Sequence, residues 1–209
     1  MNAFVLARHA ESEFNCIGLI NADPRIPNPL TAEGRRQAER LGELLADGSL
    51  DLCATSGLPR AVGTADIALR GRSVPRLVLP DLNTPRAGDL EGGPVAAYLA
   101  FLDRHGPAAP YPGGGESQFD GLRRYLRALR LLLDRQEPRI LIVSHDLPIG
   151  WLREGLAVAD GRRDLLRVDF RNLQVDFAVA YPFTAEDVRR SLDVLDRELG
   201  ASRERAGPA

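Results

Sequence analysis

The run Ile140-Leu141-Ile142-Val143-Ser144 decides the fold. A strand with one wet face alternates apolar and polar residues, and this one does not. It is therefore expected to be buried on both faces, the situation of a parallel strand with helices above and below it. On either side the period changes. Upstream, Phe119, Leu122, Leu126, Leu129 and Leu133 step by three and four across Glu116 to Gln136, which predicts a long amphipathic helix. Downstream, a helix is expected from about Leu147 to Leu156.

Further out the same alternation recurs. Phe4 to Arg8 reads as a first strand, and Thr31 can cap a helix to about Asp47 that carries Ala38, Leu41 and Leu45 at helical spacing. Asp51 to Thr55 is a second strand, Pro59 opens a helix to about Leu69, and Arg76 to Leu79 is a third short strand. Strands Leu166 to Phe170 and Leu173 to Ala180, separated by Arg171-Asn172, predict an antiparallel hairpin. A capping box at Thr184-Ala185-Glu186-Asp187 starts a last helix with Val188, Leu192, Leu195 and Leu199 on one face. The fold class is α/β with a mainly parallel central sheet. Residues 83–115 are richer in Pro and Gly, with a short helical patch from Pro94 to Arg104, and are expected to form a lid-like excursion. Residues 1–200 read as one domain and 201–209 as a frayed tail.

Composition narrows the function classes. The chain has 209 residues, enough for one sizeable core, with 44% hydrophobic and 27% charged residues, as ordered globular proteins have. Its 27 basic residues, all Arg, stand against 29 acidic ones for a net charge of −2, so no basic field collects nucleic acid or an anionic membrane. The absence of Lys fits a GC-rich coding bias, so an arginine counts as a signal only by its position. No apolar run approaches the ~18 residues that span a bilayer and the N-terminus has no signal-peptide pattern, so a cytoplasmic protein is expected. Cys16 and Cys53 have neither zinc nor disulfide-framework spacing.

Open α/β sheets bind ligands at the carboxyl ends of their strands. Three segments there carry side chains suited to a phosphoryl group: Arg8-His9-Ala10-Glu11-Ser12-Glu13-Phe14-Asn15, Ser56-Gly57-Leu58-Pro59-Arg60 and Ser144-His145-Asp146. Arginine donates two parallel hydrogen bonds to an anion and stays charged, and a neutral imidazole offers a lone pair for attack. A second histidine can donate to the phosphoryl oxygens as charge builds. Taken singly, each has a bland reading as surface charge or as a satisfied core histidine; together, at equivalent strand ends, they point to phosphoryl chemistry. His105 reads as an exposed helix-end residue, and Tyr98, Phe101 and Tyr111 either pack onto the domain or face a substrate. Glu11 and Glu13 are partners for pocket arginines or simply solvated. Histidine spacing suggests no metal, and no dinucleotide or P-loop fingerprint is present, so no cofactor is expected.

These segments resemble the histidine phosphatase superfamily, also called phosphoglycerate-mutase-like. Arg8-His9-Ala10-Glu11 with Asn15 is similar to its Arg-His-Gly-Glu motif, although Ala10 stands in place of glycine. Pro29-Leu30-Thr31 with Gly34-Arg35-Arg36-Gln37-Ala38, the segment Ser56 to Ala65, Pro112 to Ser117 and Val143-Ser144-His145 match further motifs in order. The resemblance implies a three-layer αβα fold and metal-independent phosphoryl transfer, with His9 as the phosphorylated nucleophile and Arg8, Arg60, His145 and Asn15 around the phosphate.

One departure bears on mechanism. By that resemblance a glutamate acid belongs where Thr84 stands, and a threonine hydroxyl cannot protonate a leaving alkoxide. Asp146, Glu91 and Asp89 compete for the role. Asp146 resembles the His-Asp motif of the acid-phosphatase branch, and its other reading is as N-cap of the following helix. The expected activity is hydrolysis of a small-metabolite phosphate ester. A phosphate-binding module without turnover and a phosphoglycerate-type mutase are the alternatives; the mutase is disfavoured because residues 93–115 hold one basic residue, Arg104.

Overall fold

In the computed structural model, which describes residues 3–161 and 175–206, the Ile140 run lies in β4 (Arg139–Ser144), the middle of a five-stranded sheet. The strand order is β3-β2-β4-β1-β5, where β1 is Ala3–Arg8, β2 Leu52–Thr55, β3 Arg76–Val78 and β5 Ala180–Thr184. All neighbours are parallel except β5, which runs antiparallel along β1. Ile140, Leu141, Ile142 and Val143 are each 0% exposed, as a strand covered on both faces requires.

Side-chain alternation sorts the core into two layers. Phe4, Leu6, Leu52, Ala54, Ile140 and Ile142 pack with α5 (Gln118–Leu133), α6 (Asp146–Ala159) and α7 (Ala185–Ala206). Val5, Ala7, Cys53, Leu141 and Val143 pack on the other face with α2 (Ala32–Leu44) and α3 (Pro59–Ala68). The result is a three-layer αβα sandwich. Burial pushes the Cys53 thiol up to about 11, so it is an inert core residue.

Local signals explain the helix starts. Thr31 Oγ1 accepts from Gly34 N at 2.9 Å. Gly34 itself is required: a Cβ there would lie 2.0 Å from the Glu11 carbonyl oxygen, so α2 packs directly on the loop that leaves β1. Thr184 and Asp187 form the expected capping box at the start of α7.

The structure corrects several boundaries. Leu166 to Phe170 and the Arg171-Asn172 turn lie outside the described residues. Of the strand expected over Leu173 to Ala180, Val175 to Val179 pairs only through a bridge at Phe177, and the regular strand is Ala180–Thr184. Pro182 argues against a strand by sequence, yet β5 is an edge strand, where a missing N–H is tolerated. Helix α7 continues to Ala206, past Ala201 where the tail was expected, because Arg and Ala are good helix formers. A short α1 (Glu13–Ile17) and two 3-10 turns, Pro80–Leu82 and Gly88–Leu90, are too brief to set up a period and are invisible to pattern reading.

Residues 83–115 lie over the carboxyl ends of the strands, with α4 (Val95–His105) as their helix. Asn83 Oδ1 accepts from Gly57 N at 2.7 Å, and the buried Glu116 carboxylate accepts from Arg86 N (2.9 Å) and Arg124 (Nε 2.9 Å, Nη2 2.7 Å). Among the described residues no helix is long and apolar enough to cross a membrane.

Candidate active site

Register builds the site. Arg8 on β1 pairs with Ser144 on β4, so the next residues, His9 and His145, leave the sheet side by side, and His9 N donates to the Ser144 carbonyl at 2.8 Å. β2 flanks β4, and Ser56 N donates to the Val143 carbonyl at 3.1 Å. The first turn of α3 then delivers Arg60. The three strand-end segments thus meet at one place.

The hydrogen bonds fix both tautomers. His9 Nδ1 lies 2.8 Å from the Ala10 carbonyl, which can only accept, so Nδ1 carries the proton and Nε2 the lone pair. Arg60 Nε donates to that Nε2 at 2.9 Å. Arg60 Nη2 lies 3.3 Å from His145 Nδ1; a guanidinium only donates, so His145 Nε2–H donates to Ser56 Oγ at 2.9 Å. The two rings stand edge to face, with centroids 5.2 Å apart. His9, Arg60 and His145 are all buried.

Burial first, and then the Arg60 and Arg8 charges, hold the His9 pKa well below 6.5; burial and Arg60 do the same for His145. Both imidazoles are neutral at pH 7. Burial also lowers Arg60 to about 10, where it remains a cation.

Arg8 is held from three sides. Nη1 donates to the Val175 carbonyl at 2.8 Å, Nη2 lies 3.3 Å from Asp146 Oδ2, and the guanidinium carbon sits 3.9 Å from the centre of the Phe177 ring. Its Nε is buried without an acceptor. Phe177 also packs on His9, with centroids 5.9 Å apart. The following residue, Ala178, has φ 52°, a left-handed conformation that costs an Ala about 1–2 kcal/mol, and its N–H donates to the Arg8 carbonyl. Asp146 is the first residue of α6 rather than its N-cap, which is His145, and its Oδ1 accepts from Leu147 N.

Five of the six residues selected from sequence therefore come together: Arg8, His9, Arg60, His145 and Asp146. Asn15 lies in α1 with its Oδ1 accepting from Ser12 N and Oγ, and no hydrogen bond joins it to those five. Asn21 was not selected. Its Oδ1 accepts from Arg60 Nη1 at 2.8 Å, while its Nδ2 donates to Glu91 at 3.1 Å. Ser56 and Phe177 were likewise not assigned; Ser56 sits inside a quoted motif, whereas Phe177 carries no sequence signal. Glu11 Oε1 accepts from Thr31 and so braces α2. His105 is exposed at the end of α4.

Thr84 lines a cavity of about 240 Å³ together with Asn21, Arg60 and Asp146. It also lines a neighbouring cavity of about 460 Å³, which contains Asp89 and Glu91. Glu91 is occupied there by Ala22 N and Asn21. Of the three competing acids, Asp146 lines the 240 Å³ cavity with Arg60, whereas Asp89 and Glu91 line the neighbouring one. Among the described residues no group of three or more His, Cys, Asp or Glu could hold a metal ion.

The sequence profile of the histidine phosphatase superfamily (branch 1) matches residues 4–175. The adenosylcobalamin/alpha-ribazole phosphatase of Salmonella typhimurium is 36% identical over 149 residues, covering 67% of this chain and 72% of that protein. Phosphoglycerate mutase 1 of Saccharomyces cerevisiae is 38% identical over 131 residues, 59% of this chain and 47% of that one. The crystal structure of the alpha-ribazole phosphatase from Shigella flexneri superposes with a TM-score of 0.70 at 29% identity, over 87% of this chain and 90% of that one.

Proposed function

The chain belongs to the histidine phosphatase superfamily, and we propose that it is a metal-independent phosphomonoesterase that works on a small-metabolite ester through a phosphohistidine at His9. The observation that carries this reading is the bond from His9 Nδ1 to the Ala10 carbonyl, which leaves the Nε2 lone pair aimed at the buried Arg60 guanidinium. An anionic phosphoryl group that takes over the Arg60 donors sits in front of that lone pair, since charge-assisted bonds outcompete those to imidazole and amide acceptors. Arg8 supplies a second cation, with its unpartnered Nε ready to donate.

In this mechanism His9 Nε2 attacks phosphorus and the P–O bond to the alcohol breaks. Asp146 gives its proton to the departing oxygen. Water then attacks the phosphohistidine, Asp146 takes up a proton from that water, and inorganic phosphate leaves. Arg8, Arg60 and His145 stabilise the charge on the transferring group in both steps.

Rapid acid-free quenching of a single turnover tests the reading. A base-stable, acid-labile phosphoenzyme is expected in the wild type and none in His9→Ala. Tight phosphate or vanadate binding with no phosphoenzyme and no turnover on a broad ester panel would replace the phosphatase with a phosphate-binding module, the reading that Thr84 keeps open.

A further inference from the structure

Beyond the two imidazoles, the 240 Å³ cavity extends from Arg60, Asn21 and Asp146 toward α4. A phosphoryl group on Arg60 has this cavity beside it to receive its alcohol. The walls are Ile20, Val95, Tyr98, Leu99, Leu102 and Leu147. Resting on the phosphomonoesterase reading, we propose that the leaving alcohol is uncharged and predominantly apolar, a short chain or single ring, and that α4 selects it.

The argument is one of charge as much as of shape. Arg60 is the one cation among the residues lining this cavity, and the phosphoryl group uses it. Arg104, the basic residue of 93–115, is exposed and is not on the wall. Past Thr84, the neighbouring cavity has three arginines, and each already faces a carboxylate: Arg25 with Asp23, and Arg86 and Arg124 with Glu116. A second carboxylate or phosphate on the substrate would lose water without gaining a cationic partner, and would do so beside Asp146. An apolar group gains the walls at no such cost. Gln118 Nε2 donates to the hydroxyls of Tyr98 (2.5 Å) and Tyr111 (3.1 Å), which stack at 4.6 Å, so the aromatic wall is braced in place.

The experiment pairs primary alkyl esters with similar leaving alkoxides, hexyl and 2-phenylethyl phosphate against glycerol 1-phosphate and 3-phosphoglycerate, and reads kcat/KM. The apolar esters should lead by at least about tenfold, since each buried methylene adds a severalfold preference. Leu99→Arg, and separately the more exposed Val95→Arg, should narrow or invert that ratio by about tenfold by adding a cation to the wall. Calorimetric binding of hexylphosphonate against 3-phosphonopropionate reads the same preference without turnover. Preference for hexylphosphonate with no hydrolysis of any ester would remove the phosphatase reading and keep this inference. Hydrolysis with equal use of hexyl phosphate and 3-phosphoglycerate, or preference for the latter, would overturn the inference and keep the phosphatase.

Discussion

The floor and the roof of the site are built by different means. The floor is His9, His145 and Arg60, tied to three adjacent strand ends by β-ladder register and buried. The roof is α4 and the loops around Thr84; α4 has no buried residue and is tied down by contacts such as Gln118 with Tyr98, while Glu116 holds the loop at Arg86. Geometry in the floor cannot shift without unpairing strands, whereas the roof can vary while the sheet stays intact. Chemistry common to all substrates therefore belongs to the floor and selection among them to the roof. Floor substitutions should lower every ester alike, and roof substitutions should change ratios.

Arg60→Ala is the sharpest break of that comparison. It removes the guanidinium that contacts both imidazoles, so kcat/KM should fall by about 10²–10³ on every ester, the usual cost of one preorganised donor to a developing anion. A loss confined to some esters would move Arg60 from floor to roof.

Asp146 lies on the boundary, and its substitution should show both behaviours. As the proton donor it matters only for poor leaving groups, so Asp146→Asn should lose about 10²-fold on an alkyl phosphate and little on p-nitrophenyl phosphate. Equal retention on both esters would leave Asp146 as the partner of Arg8 alone.

A third consequence concerns stability and reports on the floor without substrate. Both site imidazoles titrate well below 6.5 in the folded chain. Between the folded pKa and about 6.5 the unfolded chain binds protons that the folded one does not, so the contribution is full above about 6.5 and is lost as pH falls. The loss is up to about 1.4 kcal/mol per pH unit for each imidazole. Urea unfolding at pH 7 and pH 5.5 should show His9→Gln and His145→Gln each losing less stability on acidification than the wild type. Parallel losses would mean that the imidazoles are not held neutral.

The same division explains what was legible in the sequence. The floor was readable because strand periodicity, strand ends and the Arg-His, Ser-Gly-Leu-Pro-Arg and Ser-His segments all fall on regular elements. A mainly parallel sheet covered by helices followed from the continuous apolar run of β4 and the helical stripes flanking it, and the three-layer αβα arrangement from the family resemblance. Asn21 was not readable: it lies in an aperiodic loop, and its bond to Arg60 spans 39 positions, so nothing local marks it. Asn15 had a motif to recommend it, yet its side chain closes its own turn on Ser12. The last strand was expected over Leu173 to Ala180 and runs instead over Ala180–Thr184; Pro182 is tolerated there because β5 is an edge strand, which is a property of the sheet rather than of the segment.

Phe177 is the smallest expected effect and joins the floor to a segment the sequence left unmarked. Its ring lies against the Arg8 guanidinium, which is largely buried, and against His9. A cation over an aromatic face away from water is worth about 0.5–2 kcal/mol, so Phe177→Leu, which keeps bulk but removes the ring, should lower kcat/KM by roughly two- to thirtyfold. Phe177→Tyr, which keeps the ring, should restore most of it. In the proposed mechanism Arg8 holds the phosphoryl group whatever the alcohol, so the loss should be the same on hexyl and p-nitrophenyl phosphate. A loss that Tyr does not repair would mean that Phe177 only fills space beside the left-handed Ala178. A loss that depends on the alcohol would place Phe177 with the roof, and would show that substrate selection reaches further round the site than α4.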